Sequence, residues 1–533
     1  MMIFNKLKTL IGWWLFLPLV FLVVAIFFTL RLYHLDLLPI FADEAIYIRW
    51  AQVMRAESTL RFLPLSDGKP PLFMWTMIPF FKVISDPLVA GRSVSVLAGM
   101  GTMLGVGFLT WLLFKSKKQT LLAVLTYSLL PFVVFFDRMA LVDSMLSMFG
   151  IWTLIFGLLM AKTTRFDFAM LTGFALGGAC LTKSPALFFT ILLPITWLFA
   201  GWSRSVKKNL FLLFRLALLT FIVFGISQVM YNVLRLGPNF HLLSSRNFDY
   251  VFPISNLWER PLDPLIPHFK DIADWLTRMG TKPFVFLVLV GLAVGIKKKV
   301  SATVLLLVWV LFPLLVQSEF AKVFTARYVL FTLPLMIVLS TTWLWARSFW
   351  VKFGAVVLTF LMFVLAGKEN YWYLINPQKA NLPRSERSGY LEEWTSGYGI
   401  KETADWLKAL VADPVFTTDP AFAGQVIVGT EGYFGTLPDG LQIYLNNIPQ
   451  IVVVGVEVKF VDIPKKLIEA KKAGNKVYLL ANNTRIKLKN PEDYGLKLIK
   501  AYPKGLREFD TREYYLQGPQ ESLMFYELTN VVK

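Results

Sequence analysis

The chain has 533 residues, of which 56% are hydrophobic, 15% aromatic and 17% charged, with a formal net charge of +19. Soluble proteins carry about 25% charged residues, so this composition excludes an ordinary soluble protein. The lysines and arginines lie in short clusters between apolar runs rather than on one continuous face, which argues against a nucleic-acid partner. A single cysteine, Cys180, excludes a disulfide framework and a thiolate metal site.

Apolar runs that are long enough to cross roughly 30 Å of hydrocarbon recur along the first two thirds of the chain. The first run is too long for the core of a signal peptide, and no small-residue cleavage site follows it, so we expect it to be retained. The sequence therefore predicts a mainly α-helical, polytopic domain over residues 1–370. Its spans, about eleven in number, are predicted at 10–30, 89–113, 120–136, 142–161, 167–181, 185–201, 209–231, 282–296, 301–317, 327–346 and 351–366.

The connectors between these spans alternate in charge. One set carries 15 basic residues and the opposite set only 4, and the two sets interleave without exception. By the positive-inside rule the richer set is cytoplasmic. The expected topology is a cytoplasmic N-terminus, an extracytoplasmic C-terminus and two long outer loops at about 31–88 and 232–281. The richer connectors lie near Lys6, Lys115, Lys162, Arg204, Lys297 and Arg347.

The tail over residues 391–533 has a different composition. Helix-like stretches at Lys401–Val411 and Pro464–Ala473 alternate with runs rich in β-branched residues. Such alternation predicts a small soluble α/β domain. The predicted strands are Gln425–Val428, Ile451–Val456 and Lys476–Leu480.

The first outer loop opens with Asp43 and Glu44, followed by a helix-like amphipathic stretch that includes Tyr47 and runs to Glu57. Such a stretch would lie along the membrane surface and hold the two carboxylates where a membrane-bound substrate presents its head group. The structural alternative is a helix cap, because an aspartate ahead of an apolar periodic run is common and the helix dipole favours acids there.

Further along this loop, Lys69 precedes two prolines that fix the backbone and disfavour helix at the lysine. A rigidly presented ammonium suits a phosphate oxygen, although a solvated loop lysine remains the alternative. Three charges then stand where the third span ends, at Asp137, Arg138 and Asp143. Charges at this depth are costly unless they are paired or face a polar cavity, and Arg138 and Asp143 could pair with each other.

Other ionisable residues reach the same membrane face. Lys183 lies between the fifth and sixth spans, and the connector after the ninth span supplies Glu319 and Arg327. The second outer loop is long, rich in proline and aromatic residues, and carries His241, so we expect it to help form or cover an acceptor site. Carboxylates and cations from several connectors thus converge on one face, which a purely structural account does not require.

This ordered set resembles the GT-C glycosyltransferases, and most closely the branch of the protein O-mannosyltransferases and the lipid A aminoarabinose transferases. The resemblance covers residues 10–366 and is carried by Asp43-Glu44, Lys69-Pro70-Pro71-Leu72, Arg138 with Asp143, Lys183 with Pro185, and Ala326-Arg327-Tyr328 before Leu333-Pro334. Together these motifs are moderately specific, whereas each alone is weak.

The resemblance implies a glycosyltransferase whose donor is a sugar on a polyprenyl phosphate, with a lipid, glycan or protein acceptor at the extracytoplasmic face of the cell membrane. Asp43 matches the catalytic position and Glu44 is its neighbour. Lys69, Arg138, Lys183 and Arg327 are then candidate contacts of the donor phosphate, and Asp143, Tyr47, His241 and Glu319 further candidates for the active site.

The lysine motif departs from its relatives in one respect. The aminoarabinose transferases tend to carry an acidic residue immediately before the lysine, where this chain has Gly68. The departure puts a metal site at this position in doubt, and Asp67 is not predicted as a ligand. A divalent metal cofactor remains possible, without assigned ligands.

Two other functions are compatible with parts of the pattern. A transporter of lipid-linked saccharides would also place ionisable groups among helices, but transporters usually bind at the bilayer midplane and often show repeated halves. A second alternative is a binding protein, in which the tail recruits a peptide or glycan and the membrane part is a scaffold.

Overall fold

The computed structural model describes residues 18–413 and 424–529. The predicted start of the first span at residues 10–17 and the basic residues Lys6 and Lys8 lie outside the described residues. The chain forms two compact units. The first unit comprises residues up to Leu35, Leu60–Thr76 and Arg92–Pro383, and the second comprises Asp36–Thr59, Met77–Gly91 and Arg384–Lys533.

The helices up to the end of the membrane part are α1 to α18. They span Pro18–Leu32, Ala42–Ala56, Leu72–Met77, Pro87–Phe114, Lys117–Leu129, Pro131–Asp137, Val142–Thr163, Phe166–Thr182, Ala186–Leu192, Val206–Asn232, Leu242–Ser245, Asn247–Tyr250, Asn256–Glu259, Leu265–Arg278, Lys282–Lys298, Val300–Phe320, Leu333–Ser340 and Phe349–Ile375. Short 3-10 segments at Leu193–Phe199 and Ala326–Thr332 extend two of the apolar runs.

The described residues contain six helices that are long and apolar enough to cross a membrane, or up to eight if each of two bent pairs is one span. The multi-pass class is confirmed, but this count is lower than the predicted eleven. Bent pairs and short helices account for the difference, and the first predicted span lies only partly within the described residues. Helices α5 and α6 meet at 58° around Pro131, α14 and α15 meet at 108°, and several other predicted spans are short helices such as Phe166–Thr182.

Close helix packing in the first unit depends on small residues. A Cβ atom on Gly173 would lie 2.8 Å from Ile226, and one on Gly177 would lie 2.4 Å from the sulfur of Met230. Both glycines are in α8, four residues apart, and both partners are in α10. The two glycines therefore let the α8 and α10 backbones approach closely, as small residues at this spacing commonly do in membrane helices.

The second unit contains five strands, β1 to β5, which span Val426–Glu431, Ile451–Glu457, Lys476–Asn482, Leu496–Leu506 and Gln520–Leu528. They form one sheet in the order β2-β1-β3-β5-β4. Strands β1, β2 and β3 are parallel, whereas β5 is antiparallel to both β3 and β4. The predicted α/β class of the tail is thus confirmed.

The sheet of the second unit carries helices from two parts of the sequence. Helices α19 to α23 span Arg384–Arg387, Ile400–Ala412, Asp439–Leu445, Lys465–Lys472 and Arg512–Gln517. Helix α2, from the first long loop, packs on α21 within the same unit. Two pieces of the first long loop, Asp36–Thr59 and Met77–Gly91, thus belong to the same unit as the C-terminal residues.

Candidate functional site

The N-terminus of α2 carries the two predicted catalytic acids. Phe41 is the N-cap residue, and the carboxylate of Glu44 accepts a hydrogen bond of 3.0 Å from the backbone N–H of Phe41. This is the carboxylate half of a capping box. The side chain of Glu44 is completely buried, whereas Asp43, inside the first turn, is only partly buried. The capping acid is therefore Glu44, and Asp43 does not occupy the N-cap position.

Tyr47 follows one turn later on α2 and is buried. Its ring centroid lies 6.1 Å from that of Trp50, which in turn lies 5.7 Å from Phe434 in the loop after β1. Tyr47 thus belongs to an aromatic group that packs α2 within the second unit.

The lysine-proline motif lies in the first unit and is joined to the second long loop. Asp67 forms ion pairs with both Lys69, at 3.2 Å, and Arg246. Gly68 has φ = +64°, and a Cβ atom there would lie 2.7 Å from the Arg246 side chain, so glycine is required for both conformation and space. The residue that departs from the relatives is therefore the one that lets Arg246 reach Asp67.

A second ion pair joins α7 to the end of α8. The Lys183 ammonium donates to Asp143 at 2.6 Å and lies 4.1 Å from the centroid of the Tyr328 ring. Asp143 pairs with Lys183 rather than with Arg138. Its other oxygen, Oδ2, is buried and has no hydrogen-bond partner among the described residues. The group presents a cation, an acceptor oxygen and an aromatic face together.

Arg138 is surrounded by protein groups. Its guanidinium donates to carbonyls at the end of α1 and just after it, those of Leu30, Arg31, Tyr33 and His34, over 2.8–3.2 Å. The side chain is 1% exposed. These carbonyls are the acceptors that a helix C-terminus leaves without intrahelical donors. A phosphate-binding role was predicted for Arg138, but this geometry supports a structural one.

The neighbouring Asp137 also has structural partners. It pairs with the buried Arg31 at 2.9 Å and accepts hydrogen bonds from Tyr127 and Ser144. These contacts tie α1, α5, α6 and α7 together. Of the three charges predicted where the third span ends, Asp143 is the one whose ion-pair partner, Lys183, lines a cavity.

That cavity, in the first unit, has a volume of about 350 Å³. Pro70, Lys183, Ser184 and His241 contribute to its wall, so it borders both the lysine-proline motif and the Lys183 group. The rest of the wall is mainly apolar and includes Leu187, Tyr231, Phe240 and Leu243. A mostly apolar cavity with a few polar groups is the usual form of a ligand site.

Two predicted site residues, Glu319 and Arg327, are not part of the cavity wall. Glu319 is at the end of α16, 4% exposed, and neither carboxylate oxygen has a hydrogen-bond partner among the described residues. Arg327, in the 3-10 segment Ala326–Thr332, is partly buried, with its guanidinium 5.6 Å from the Tyr328 ring centroid.

The sequence did not predict every residue that contacts Lys69, Asp67 or Lys183. Tyr328 was predicted only as part of a motif, Asp67 was not predicted as a ligand, and no role was predicted for Arg246. A charge or an aromatic ring alone does not identify a site residue. The sequence positions of Asp67 near Lys69 and of Tyr328 next to Arg327 are the features that could have indicated these two residues. Among residues 18–413 and 424–529, no three or more histidine, cysteine, aspartate or glutamate side chains form a group that could hold a metal ion.

The chain resembles known proteins in part of its sequence and in its fold. Residues 68–227 match the family described as dolichyl-phosphate-mannose-protein mannosyltransferase. This segment contains Lys69, Asp143 and Lys183. No curated protein sequence is a significant match.

The fold is similar to that of ArnT from Cupriavidus metallidurans. The structure of ArnT in the apo state has a TM-score of 0.57 and 13% identity, covering 98% of this chain and 100% of ArnT. The structure of ArnT bound to undecaprenyl phosphate has a TM-score of 0.56 and 14% identity, covering 98% and 99%.

The chain has the GT-C glycosyltransferase fold. The resemblance that the sequence predicted is confirmed for the fold, and residues 68–227 match a mannosyltransferase family. The family match fits a glycosyltransferase and does not fit the alternative of a transporter.

Proposed function

We propose that this GT-C protein transfers a hexosyl or pentosyl group from a polyprenyl-phosphate donor to a lipid, glycan or protein acceptor. The observation that carries the proposal is the cavity in the first unit, whose wall combines the Lys183 ammonium with an extended apolar surface. The cation can bind a phosphate, and the apolar wall can bind an isoprenoid chain. ArnT, which shares the fold, was solved with undecaprenyl phosphate, and the matched family is described by a dolichyl-phosphate donor; both support a donor of this class.

Lys69 and Lys183 are proposed to bind the donor phosphate: Lys183 lines the cavity, and Lys69 directly precedes Pro70 of its wall. Lys69 and Lys183 are each balanced by a carboxylate, Asp67 and Asp143 respectively. A lysine ammonium has three donors, so each can keep its carboxylate and still donate to a phosphate oxygen. Arg327 is proposed as a third contact, from the family resemblance. Such cations stabilise the charge that develops on the departing phosphate.

Asp43 is proposed as the general base. As the acceptor oxygen attacks the anomeric carbon, its proton passes to the Asp43 carboxylate, and the bond between the anomeric carbon and the phosphate oxygen breaks with its electron pair leaving on the phosphate. One displacement inverts the configuration and requires one base. The support is the position of Asp43 in the motif and its location inside the first turn of α2, where Glu44 rather than Asp43 does the capping.

The proposed orientation places the N-terminus in the cytoplasm and the C-terminal domain outside, because basic residues concentrate in alternate connectors. Protease added to right-side-out cells should then release fragments from Leu391 onward. If these fragments appear only when protease has access to the cytoplasm, the orientation is reversed.

The function is tested with detergent-purified protein and a radiolabelled polyprenyl-phosphate sugar. A transferase consumes this donor and releases polyprenyl phosphate, whereas a transporter or a binding protein leaves it intact. Lys69→Met should raise the donor KM about tenfold or more, since a charged hydrogen bond contributes about 1.5–3 kcal/mol, and Lys69→Arg should recover part of the loss. An intact donor with every class of acceptor would contradict the proposal.

A further inference from the structure

The residues just before Asp43 are bridged to the C-terminal part of the second unit. The backbone N–H of Ala42 donates to the carbonyl of Thr395 at 3.1 Å, and the N–H of Gly397 donates to the carbonyl of Ile40 at 2.8 Å. Phe41 and Ser396 are the antiparallel pair between these two bonds. We call residues 393–397 the bracing segment. Its backbone fixes the entry of the chain into α2.

The bracing segment is itself anchored to the sheet. The guanidinium of Arg507, which directly follows β4, donates to both carboxylate oxygens of Glu393, at 2.8 and 3.0 Å, and to Glu521 of β5 at 2.6 Å. Lys504 in β4 donates to the carbonyl of Glu393 at 3.0 Å. Arg507 and Glu521 are buried, and buried charge-assisted bonds of this kind are among the strongest in proteins.

Helix α2 also rests on α21 of the same unit. The amide of Gln52 donates to the carbonyl of Ile443 at 2.9 Å, and Arg49 donates to the side chain of Asn446. The bridge at one end and these two bonds farther along resist both translation and rotation of α2. Asp43, between the bridge and these contacts, therefore has its backbone position set by the C-terminal domain.

We propose that the C-terminal domain positions Asp43 for proton transfer, through the bracing segment and the Arg507–Glu393 ion pair. This inference rests on the proposed function, in which Asp43 is the base. Glu393, Gly397 and Arg507 are positioning residues: they act on the reaction through Asp43 and contact no substrate. The domain is then part of the catalytic apparatus rather than an accessory that recruits acceptors.

Gly397→Ala is the most direct variant. A Cβ atom at this position would lie 2.4 Å from Cγ2 of Ile40 and 2.7 Å from its carbonyl oxygen, so the bracing segment and residue 40 must separate. A displacement of about 1 Å in a reacting group can cost on the order of 10²-fold in rate. We expect kcat to fall at least tenfold, with the donor KM within about twofold of wild type, because only an interaction of the transition state is affected.

Gly389→Ala is the matched control. The same methyl group, added eight residues earlier, would lie 3.7 Å from the nearest atom, a ring carbon of Phe41, which is an ordinary contact. Its kcat should equal that of wild type. Thermal melting in detergent should show that both variants are folded.

A double-mutant cycle separates positioning from general damage. In an Asp43→Asn background the base is absent, so Gly397→Ala should cause no further loss of kcat. An equal loss in both backgrounds, or wild-type kcat in folded Gly397→Ala, would overturn the positioning inference. If Asp43→Asn itself retains wild-type transfer, the proposed function of Asp43 fails instead, so the two failures are distinguishable.

Gln52→Met is the second variant that tests the positioning role of the domain if Gly397→Ala does not fold. It deletes the bond to Ile443 and also removes a buried amide oxygen that has no hydrogen-bond partner among the described residues, so its effect on stability should be small. A severalfold lower kcat with unchanged donor KM supports the inference. Wild-type kcat in this variant would overturn it.

Discussion

The carboxylate of Glu44 accepts a hydrogen bond from the backbone N–H of Phe41, three residues earlier, at 3.0 Å. This bond assigns different tasks to two adjacent acids. Glu44 satisfies a backbone donor at the start of α2 and is buried there, whereas Asp43, the residue before it, is partly accessible. The helix-cap explanation, which the sequence left open for Asp43, therefore describes its neighbour.

Glu44→Ala should therefore affect stability more than chemistry. Loss of a capping interaction costs about 0.5–2 kcal/mol, so the melting temperature in detergent should fall by a few degrees. Glu44→Gln keeps an amide oxygen that can accept the same bond and should behave nearly as wild type. A large loss of kcat in well-folded Glu44→Gln would instead assign catalysis to Glu44.

Arg138→Met should destabilise the first unit without changing donor binding. Four carbonyls would lose their donor. Each buried polar group left without a partner costs about 1–3 kcal/mol, so the free energy of unfolding should fall by several kcal/mol. Lys183→Met, in contrast, should raise the donor KM. A stable Arg138→Met protein with a donor KM raised more than tenfold would restore Arg138 as a phosphate contact.

The ion-pair network behind the bracing segment predicts a pH dependence of stability. Burial lowers the pKa of the Lys504 ammonium to about 8, although the carboxylates of Glu521, Glu431 and Glu393 oppose this shift. An unfolded lysine keeps its proton up to about pH 10.4. Between about pH 8 and 10.4 the unfolded state thus binds more protons, so the free energy of unfolding should rise with pH in this window, and the gain is lost as the pH falls to 8.

Lys504→Met is the variant that tests this dependence. Thermal melting of the full chain in detergent, between pH 7.5 and 9.5, should show a rise for wild type that the variant lacks. The slope attributable to one such group is at most about 1.4 kcal/mol per pH unit. Equal slopes in the two proteins would show that Lys504 keeps its proton throughout the folded state.

The local features of the fold were accessible from the sequence. Apolar length located the membrane helices, and β-branched runs located three of the five strands. Proline at position 131 explains why one predicted span is a bent pair. An apolar run does not reveal where a helix breaks, so the sequence did not predict the bent pairs.

The pairings at the site were not accessible from the sequence. Lys183 and Asp143 are 40 positions apart, and Arg246 and Asp67 are 179 apart. No periodicity or spacing predicts such contacts. For the same reason the bridge between Phe41 and Ser396, which joins the first loop to the C-terminal domain, could not be foreseen. The sequence supplied the right types of residue, and the tertiary structure determined which of them meet.

The central claim is that Asp43 is the base of a lipid-linked sugar transfer, and the rate of transfer by Asp43→Asn tests it most directly. The asparagine keeps the size of the side chain and most of its hydrogen bonding but removes the charge that a base requires. With saturating labelled donor and folded protein, kcat should fall by about 10²- to 10⁴-fold while donor binding persists. Transfer at a near wild-type rate by folded Asp43→Asn protein would contradict the account.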